Sequence, residues 1–183
     1  MLNLNFNPFP IIETERLVLR EVVDADAHEI FILRTDPRLI KYLDRAPATS
    51  MEEVYQFIHT IKDAQTKNTG ICWAIALKDT PQLIGTVAIW RIDVDHHRGE
   101  IGYSLLADYH SRGIMQEALK AAIDYGFYTM NLHSMEANVN PNNASSIKLL
   151  ERNNFIREAY FKENYFFDGK YLDSAIYSLL SPL

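Results

Sequence analysis

Two hydrophobic periods take turns along this chain. Over residues 14–21, Leu17 and Leu19 alternate with Arg16, Val18 and Arg20, which is the two-residue period of a half-buried strand. Asp24 or Asp26 is placed to cap a helix over 25–35. Pro37 restarts the chain, and Leu39, Ile40 and Leu43 predict a second short helix that Pro47 ends. Ser50 followed by Glu53 is a capping box. Val54, Phe57, Ile58 and Ile61 then recur at helical spacing to about Lys67. From Gly70 the period returns to two. Ile71, Trp73, Ile75 and Leu77 alternate with Cys72, Ala74 and Ala76, and Thr80-Pro81 predicts a turn. Strands over 83–94 and 100–106, joined by the polar loop 95–99, complete an antiparallel meander.

The second half alternates helix and strand. Met115, Leu119, Ala122, Ile123, Phe127 and Met130 form the apolar stripe of a helix over 113–130. A strand over 134–139 ends at Asn140-Pro141. A helix over 143–152 turns Ile147 and Leu150 inward, with Asn154 as its left-handed stop. Residues 156–167, Asp168-Gly169 and 170–180 predict a closing hairpin. This order describes an α/β (α+β) protein, a mixed and mostly antiparallel sheet with helices on both faces. At 183 residues, it is expected to be a single domain over residues 1–183.

Composition narrows the function. The formal net charge of −6, from 18 basic and 24 acidic residues, argues against a nucleic-acid partner, which calls for a basic surface. It suits a cationic acceptor such as an amine. The single cysteine, Cys72, allows no intramolecular disulfide and no cysteine metal cluster. It lies mid-strand in an apolar segment, where an inert buried thiol is expected. With no leader-like start and no apolar run of membrane length, the expectation is a soluble, cytoplasmic protein, monomer or homodimer, with no membrane partner.

The junction of strand 100–106, loop 107–112 and the helix opening at Gly113 carries the chemistry. A helix N-terminus presents unpaired N–H groups and a positive dipole end to phosphate. Gly113 removes a Cβ that would hold phosphate off the backbone, and Arg112 adds charge. Walker and dinucleotide fingerprints are excluded by the residues present. A second polar cluster runs from Asn138 to Ser146, at the end of the next strand and the start of the next helix. If the two strands are neighbours, both clusters meet at one crevice.

The chain resembles the GNAT superfamily of N-acetyltransferases, and within it the Rim-type branch, which acetylates N-terminal amines of ribosomal proteins. The resemblance rests on Thr14-Glu15-Arg16-Leu17-Val18-Leu19-Arg20, Gly85-Thr86-Val87, Gly99-Glu100-Ile101-Gly102-Tyr103, Arg112-Gly113-Ile114-Met115-Gln116-Glu117-Ala118, Asn143-Ala144-Ser145-Ser146 and Glu151-Arg152-Asn153-Asn154-Phe155, in that order. It implies the GNAT acyl-CoA N-acyltransferase fold and acetyl-CoA as co-substrate, with no metal. The pyrophosphate is expected on Ser111, Arg112, Gly113, Ile114, Met115 and Gln116. The pantetheine arm is expected to pair with Ser104, Leu105 and Leu106 and to meet Asn138 and Asn143. His110 stands where the family's phosphate loop has Gln or Arg.

Two proton tasks follow, taking a proton from the attacking ammonium and stabilising the departing thiolate. Many family members use a tyrosine for the thiolate, and Leu150 stands at that position. The resemblance points instead to Ser146. Glu100 is the candidate base, through water, because alternation sets it opposite Ile101 and Tyr103. Glu136, His96, His97, His133 and Tyr165 are weaker alternatives. The expected acceptor is a protein N-terminal amine; the alternatives are a polyamine, amino sugar or antibiotic, or an acyl-CoA sensor without turnover.

Overall fold

A computed structural model describes residues 1–182. Among them, eight strands form one sheet: β1 (Ile12–Glu13), β2 (Leu17–Glu21), β3 (Ile71–Leu77), β4 (Thr80–Asp93), β5 (Arg98–Leu105), β6 (Ser134–Val139), β7 (Ile156–Phe167) and β8 (Lys170–Leu180). The helices are α1 (Ala27–Thr35), α2 (Pro37–Ile40), α3 (Met51–Thr66), α4 (Ile114–Tyr128) and α5 (Ala144–Arg152). The strand order is β1-β2-β3-β4-β5-β6-β8-β7. Every pairing is antiparallel except β5 with β6.

The alternation in β3 sorts side chains into two layers. Trp73 and Ile75 join Leu17, Leu19, Val87, Ile89 and Ile101 under α4, whose Met115, Leu119, Ala122, Ile123 and Phe127 all point into that layer. Ala74 joins Val22 and Leu83 under α1 and α3, which supply Ile30, Leu33, Val54 and Ile58. Each fully buried aliphatic or aromatic side chain contributes roughly 1.5–3 kcal/mol. Burial also pushes the Cys72 thiol up to about 12, which keeps it protonated and inert.

Several boundaries differ from the pattern reading, each for a local reason. Residues 14–21 are not one strand. Thr14 Oγ1 accepts from Leu17 N at 3.0 Å and Thr14 N donates to Leu17 O at 3.0 Å, so a tight turn separates β1 from β2. The capping box of α3 is half complete. Ser50 caps Glu53 N, but the Glu53 carboxylate bonds Thr49 N and Oγ1 instead of Ser50 N. Thr80-Pro81 opens β4 rather than making the turn, because Leu77 already pairs with Thr80. The first helix begins with a 3-10 turn at Asp24–Asp26, and β5 starts at Arg98, shortening the loop before it. Asn154 does take the left-handed conformation, with φ of 64°.

Candidate active site

β5 and β6 pair over only three positions, Arg98 with Ser134, Gly99 with Met135 and Glu100 with Glu136. Beyond Glu100 they diverge. β5 stays paired with β4 as far as Leu105, and β6 stays paired with β8 as far as Val139. Among the described residues, the edge of β5 that turns toward β6 therefore has no strand partner beyond Glu100; alternate residues face it, Leu105 O is met by His110 Nε2, and Leu106 N donates back to Ile84 O. Such an edge accepts an extended, amide-bearing ligand as a further strand. The loop after β5 and the loop after β6 both open at this gap, so the two polar clusters found in the sequence do meet.

The loop after β5 is built from backbone. Ser111 and Gly113 both have positive φ, 60° and 74°, which turns successive N–H groups to one side. Gly113 is the N-cap of α4 and no side chain caps that helix. The N–H groups of Ile114, Met115 and Gln116 are thus left for an anion. A glycine at 113 is required by the left-handed backbone, which costs another L-residue about 1–2 kcal/mol. His110 turns inward, its Nε2 at 2.9 Å from Leu105 O, so it braces the loop. The side-chain amide of Gln116 donates to Asn153 Oδ1 at 2.8 Å, which leaves only its backbone N–H for a phosphate.

A clamp that the pattern reading missed holds this loop. Glu117 accepts from Thr14 Oγ1 at 2.6 Å, from Arg16 N at 2.8 Å and from Arg16 Nε at 2.7 Å. Arg16 Nη1 also donates to Arg112 O at 2.9 Å. Burial works against the ionised Glu117, yet these bonds hold its carboxyl below the usual carboxylate range. The tight turn between β1 and β2 puts Thr14 and Arg16 within reach, so the Thr-Glu-Arg-Leu motif is tied to the loop 96 or more residues away.

The loop after β6 ends in the cap of α5. Asn143 Oδ1 accepts from Ser146 N at 3.2 Å and Ser145 Oγ at 3.0 Å, leaving its Nδ2 group without a protein partner among the described residues. Ser146 Oγ lies 2.8 Å from the Tyr103 hydroxyl of β5. Burial pushes Tyr103 up to about 12 against the opposing bond from Ser146, so it stays a phenol. Leu150 is fully buried in the core and offers no acid. Asn138 is exposed.

Glu100 lies on the opposite face of β5 from Ile101 and Tyr103. Burial raises its carboxyl above the usual range, and Glu136 and Asp44 push the same way. The Arg91 guanidinium, donating to Oε2 at 3.0 Å, opposes them. Arg91 is itself held over the Trp90 ring at 4.4 Å. Burial also raises Tyr165, helped by the Asp44 charge. His97 and His133 line a separate surface depression with Met1, Phe127 and Asn131, at the paired end of β5 and β6. Among the described residues, no cluster of three His, Cys, Asp or Glu side chains is disposed to hold a metal.

Comparison with known proteins places the chain in a family and a fold. An acetyltransferase (GNAT) domain family matches residues 16–156. The chain is 31% identical to the uncharacterized N-acetyltransferase YoaA of Bacillus subtilis, over 95% of this chain and 98% of that protein. The solved ribosomal-protein-S5-alanine acetyltransferase of Vibrio fischeri is 26% identical with a TM-score of 0.83, covering 94% and 97% of the two chains. A ribosomal L7/L12 α-N-protein acetyltransferase, RimL, solved with coenzyme A, superposes with a TM-score of 0.85 at 21% identity, covering 94% and 98%.

Proposed function

The chain belongs to the GNAT acetyltransferase family, in its Rim-type branch, and on that premise we propose that it moves the acetyl group of acetyl-CoA directly to a protein N-terminal α-amine. It is an acyltransferase; the choice of acceptor is the proposal. The observation that carries the assignment of the site is the parting of β5 from β6 after Glu100. It leaves an unpaired strand edge for the amides of a pantetheine arm. It sets that edge between a backbone anion loop on one side and the Tyr103–Ser146 pair on the other.

Acetyl-CoA supplies an acetyl group activated as a thioester. The free amine attacks the carbonyl carbon, an N–C bond forms, and the C–S bond breaks. Glu100, with its raised carboxyl, takes the proton released by the ammonium, through water. Ser146 donates a hydrogen bond and then its proton to the departing sulfur. Tyr103, kept as a phenol by burial, passes its proton to Ser146 Oγ and takes in return the second proton, which the new amide nitrogen sheds as the C–S bond breaks. Backbone N–H groups 114–116 hold the pyrophosphate, Asn143 Nδ2 meets the arm, and Arg16 with Glu117 fixes the loop. Asn138, exposed on the Glu100 face of β6, lines the same opening.

The test is release of free thiol from acetyl-CoA on a panel of N-terminal peptides, polyamines and aminoglycosides. Turnover confined to peptides, with mass added at the α-amine, is the expected outcome. Turnover confined to small amines would move the acceptor to another class and leave the donor site standing. Tight coenzyme A binding with no turnover on any amine would make the chain a sensor.

A further inference from the structure

Among the described residues, two arginines near the acceptor side of the cleft keep a buried Nε with no hydrogen-bond partner. Arg34 closes α1, and its guanidinium carbon stands 4.4 Å over the Phe57 ring of α3. Arg45 lies in the segment after α2, which returns to α1 through a 3.2 Å bond from Ala48 N to Arg34 O. Both side chains are half-buried. The Nε atom of each is buried with no hydrogen-bond partner, and among the described residues neither guanidinium has an ion pair. Burial lowers both arginines and the Arg34 charge lowers Arg45 further, while Glu53 raises Arg34 and Asp44 raises Arg45. The carboxylates that act on them are otherwise placed. Glu53 is bonded to Thr49, and Asp44 acts across the cleft on Glu100 and Tyr165.

Desolvated cations held side by side are costly unless an anion joins them. The planar fork of arginine matches the two oxygens of a carboxylate or phosphate. Asp44 adjoins Arg45 in the chain and faces Glu100, so the arginine pair borders the opening where the amine must enter. The cleft therefore has an acidic end at Glu100, Glu136 and Asp44 and a basic end at Arg34 and Arg45.

We propose that Arg34 and Arg45 form an oxyanion subsite of the acceptor cleft, so that the acceptor is dipolar, a primary amine carrying an anionic group a short distance away. Resting on the reading of the chain as an N-terminal acetyltransferase, the anion is the side-chain carboxylate of an acidic residue close to the acceptor's N-terminus. A polyamine, cationic throughout, is rejected by the same pair.

The experiment compares peptides that begin with alanine and continue with Asp-Glu, Asn-Gln, phosphoserine or Lys-Lys. The wild-type chain is expected to prefer the Asp-Glu peptide over Asn-Gln by about ten-fold or more in kcat/KM. Arg45→Gln and Arg34→Gln should collapse that ratio toward one, and Arg45→Lys should restore part of it. A phosphoserine peptide that outruns Asp-Glu would assign the anion to phosphate and keep the subsite. An unchanged acidic-to-neutral ratio in both variants overturns the subsite while leaving N-terminal acetylation intact. If no peptide reacts, thermal stabilisation by glutarate and by inorganic phosphate decides. Stabilisation lost in Arg45→Gln supports the subsite against the failed peptide reading, and no stabilisation of the wild-type chain overturns it.

Discussion

The two halves of the cleft are built from different materials. The donor side is mostly backbone, with the free edge of β5, the uncapped start of α4 and two residues with positive φ. The acceptor side proposed above is mostly side chains, Glu100, Glu136, Asp44, Tyr165, Arg34 and Arg45, drawn from five separate stretches of chain. Backbone recognition serves a ligand that never changes and leaves a mark in sequence only where geometry demands it, as at Gly113. Side-chain recognition can be rewritten without touching the fold, so one scaffold serves many acceptors.

Substitutions on each side should separate the two halves. The largest effect is expected on the acceptor side. Glu100→Gln should cost about 10²–10³-fold in kcat/KM with little change in the KM for acetyl-CoA. The base must be ionised to work, so its raised carboxyl places the acid limb of the pH profile above the ordinary glutamate value of about 4.3. Arg91 opposes that rise, and Arg91→Ala should therefore move the limb upward, while Glu100→Gln should remove it. A limb that stays in place in both variants would take Glu100 out of the proton path.

Gly113→Val should act on the donor side alone. It forces a β-branched residue to positive φ, and a destabilisation of about 1–2 kcal/mol should lower the Tm by roughly 2–8 °C. Thermal protection by coenzyme A should be lost as well, and retained protection would show that the loop tolerates a Cβ. Next in size, Ser146→Ala should lower kcat by about ten- to a hundred-fold, and Tyr103→Phe by a few-fold through loss of one hydrogen bond. Both should leave the KM for acetyl-CoA near its starting value. If Tyr103→Phe only lowers the Tm, the pair is packing rather than a proton path.

An effect of similar small size is expected from Arg16→Gln, on binding rather than on kcat. Loosening the clamp on Arg112 O and Glu117 should raise the KM for acetyl-CoA about three- to ten-fold, without moving the KM for the amine. A drop in Tm with both KM values unchanged would make the clamp structural only.

Much of the fold could be read directly. The bounds of β6, β7 and β8 and the start of α4 follow from alternation, an Asp-Gly turn and a glycine cap, all of which are local signals. The turn at Thr14 was not legible, because Arg16, Val18 and Arg20 continue the alternation of β2 through it and only the Thr14 hydroxyl breaks it. The left-handed Gly113 and the uncapped start of α4 were legible for the same local reason. Tyr103 was not, since alternation places it with the core residue Ile101 and gives no hint that α5 brings Ser146 to its hydroxyl. The arginine pair left no pattern either, because Arg34 ends an ordinary helix and Arg45 sits among turn residues.

By itself the sequence determined which segments become strands and helices, which faces they bury, and where a helix start is left open to an anion. These depend on periods of a few residues and on the φ range of single glycines. Only the tertiary structure decided that β5 and β6 part after Glu100, that Thr14 and Arg16 grip Glu117, that Tyr103 meets Ser146, and that Arg34 and Arg45 each keep a buried Nε without a hydrogen-bond partner among the described residues. Each of those joins residues distant in the chain, and no local preference encodes which distant partner a side chain will meet.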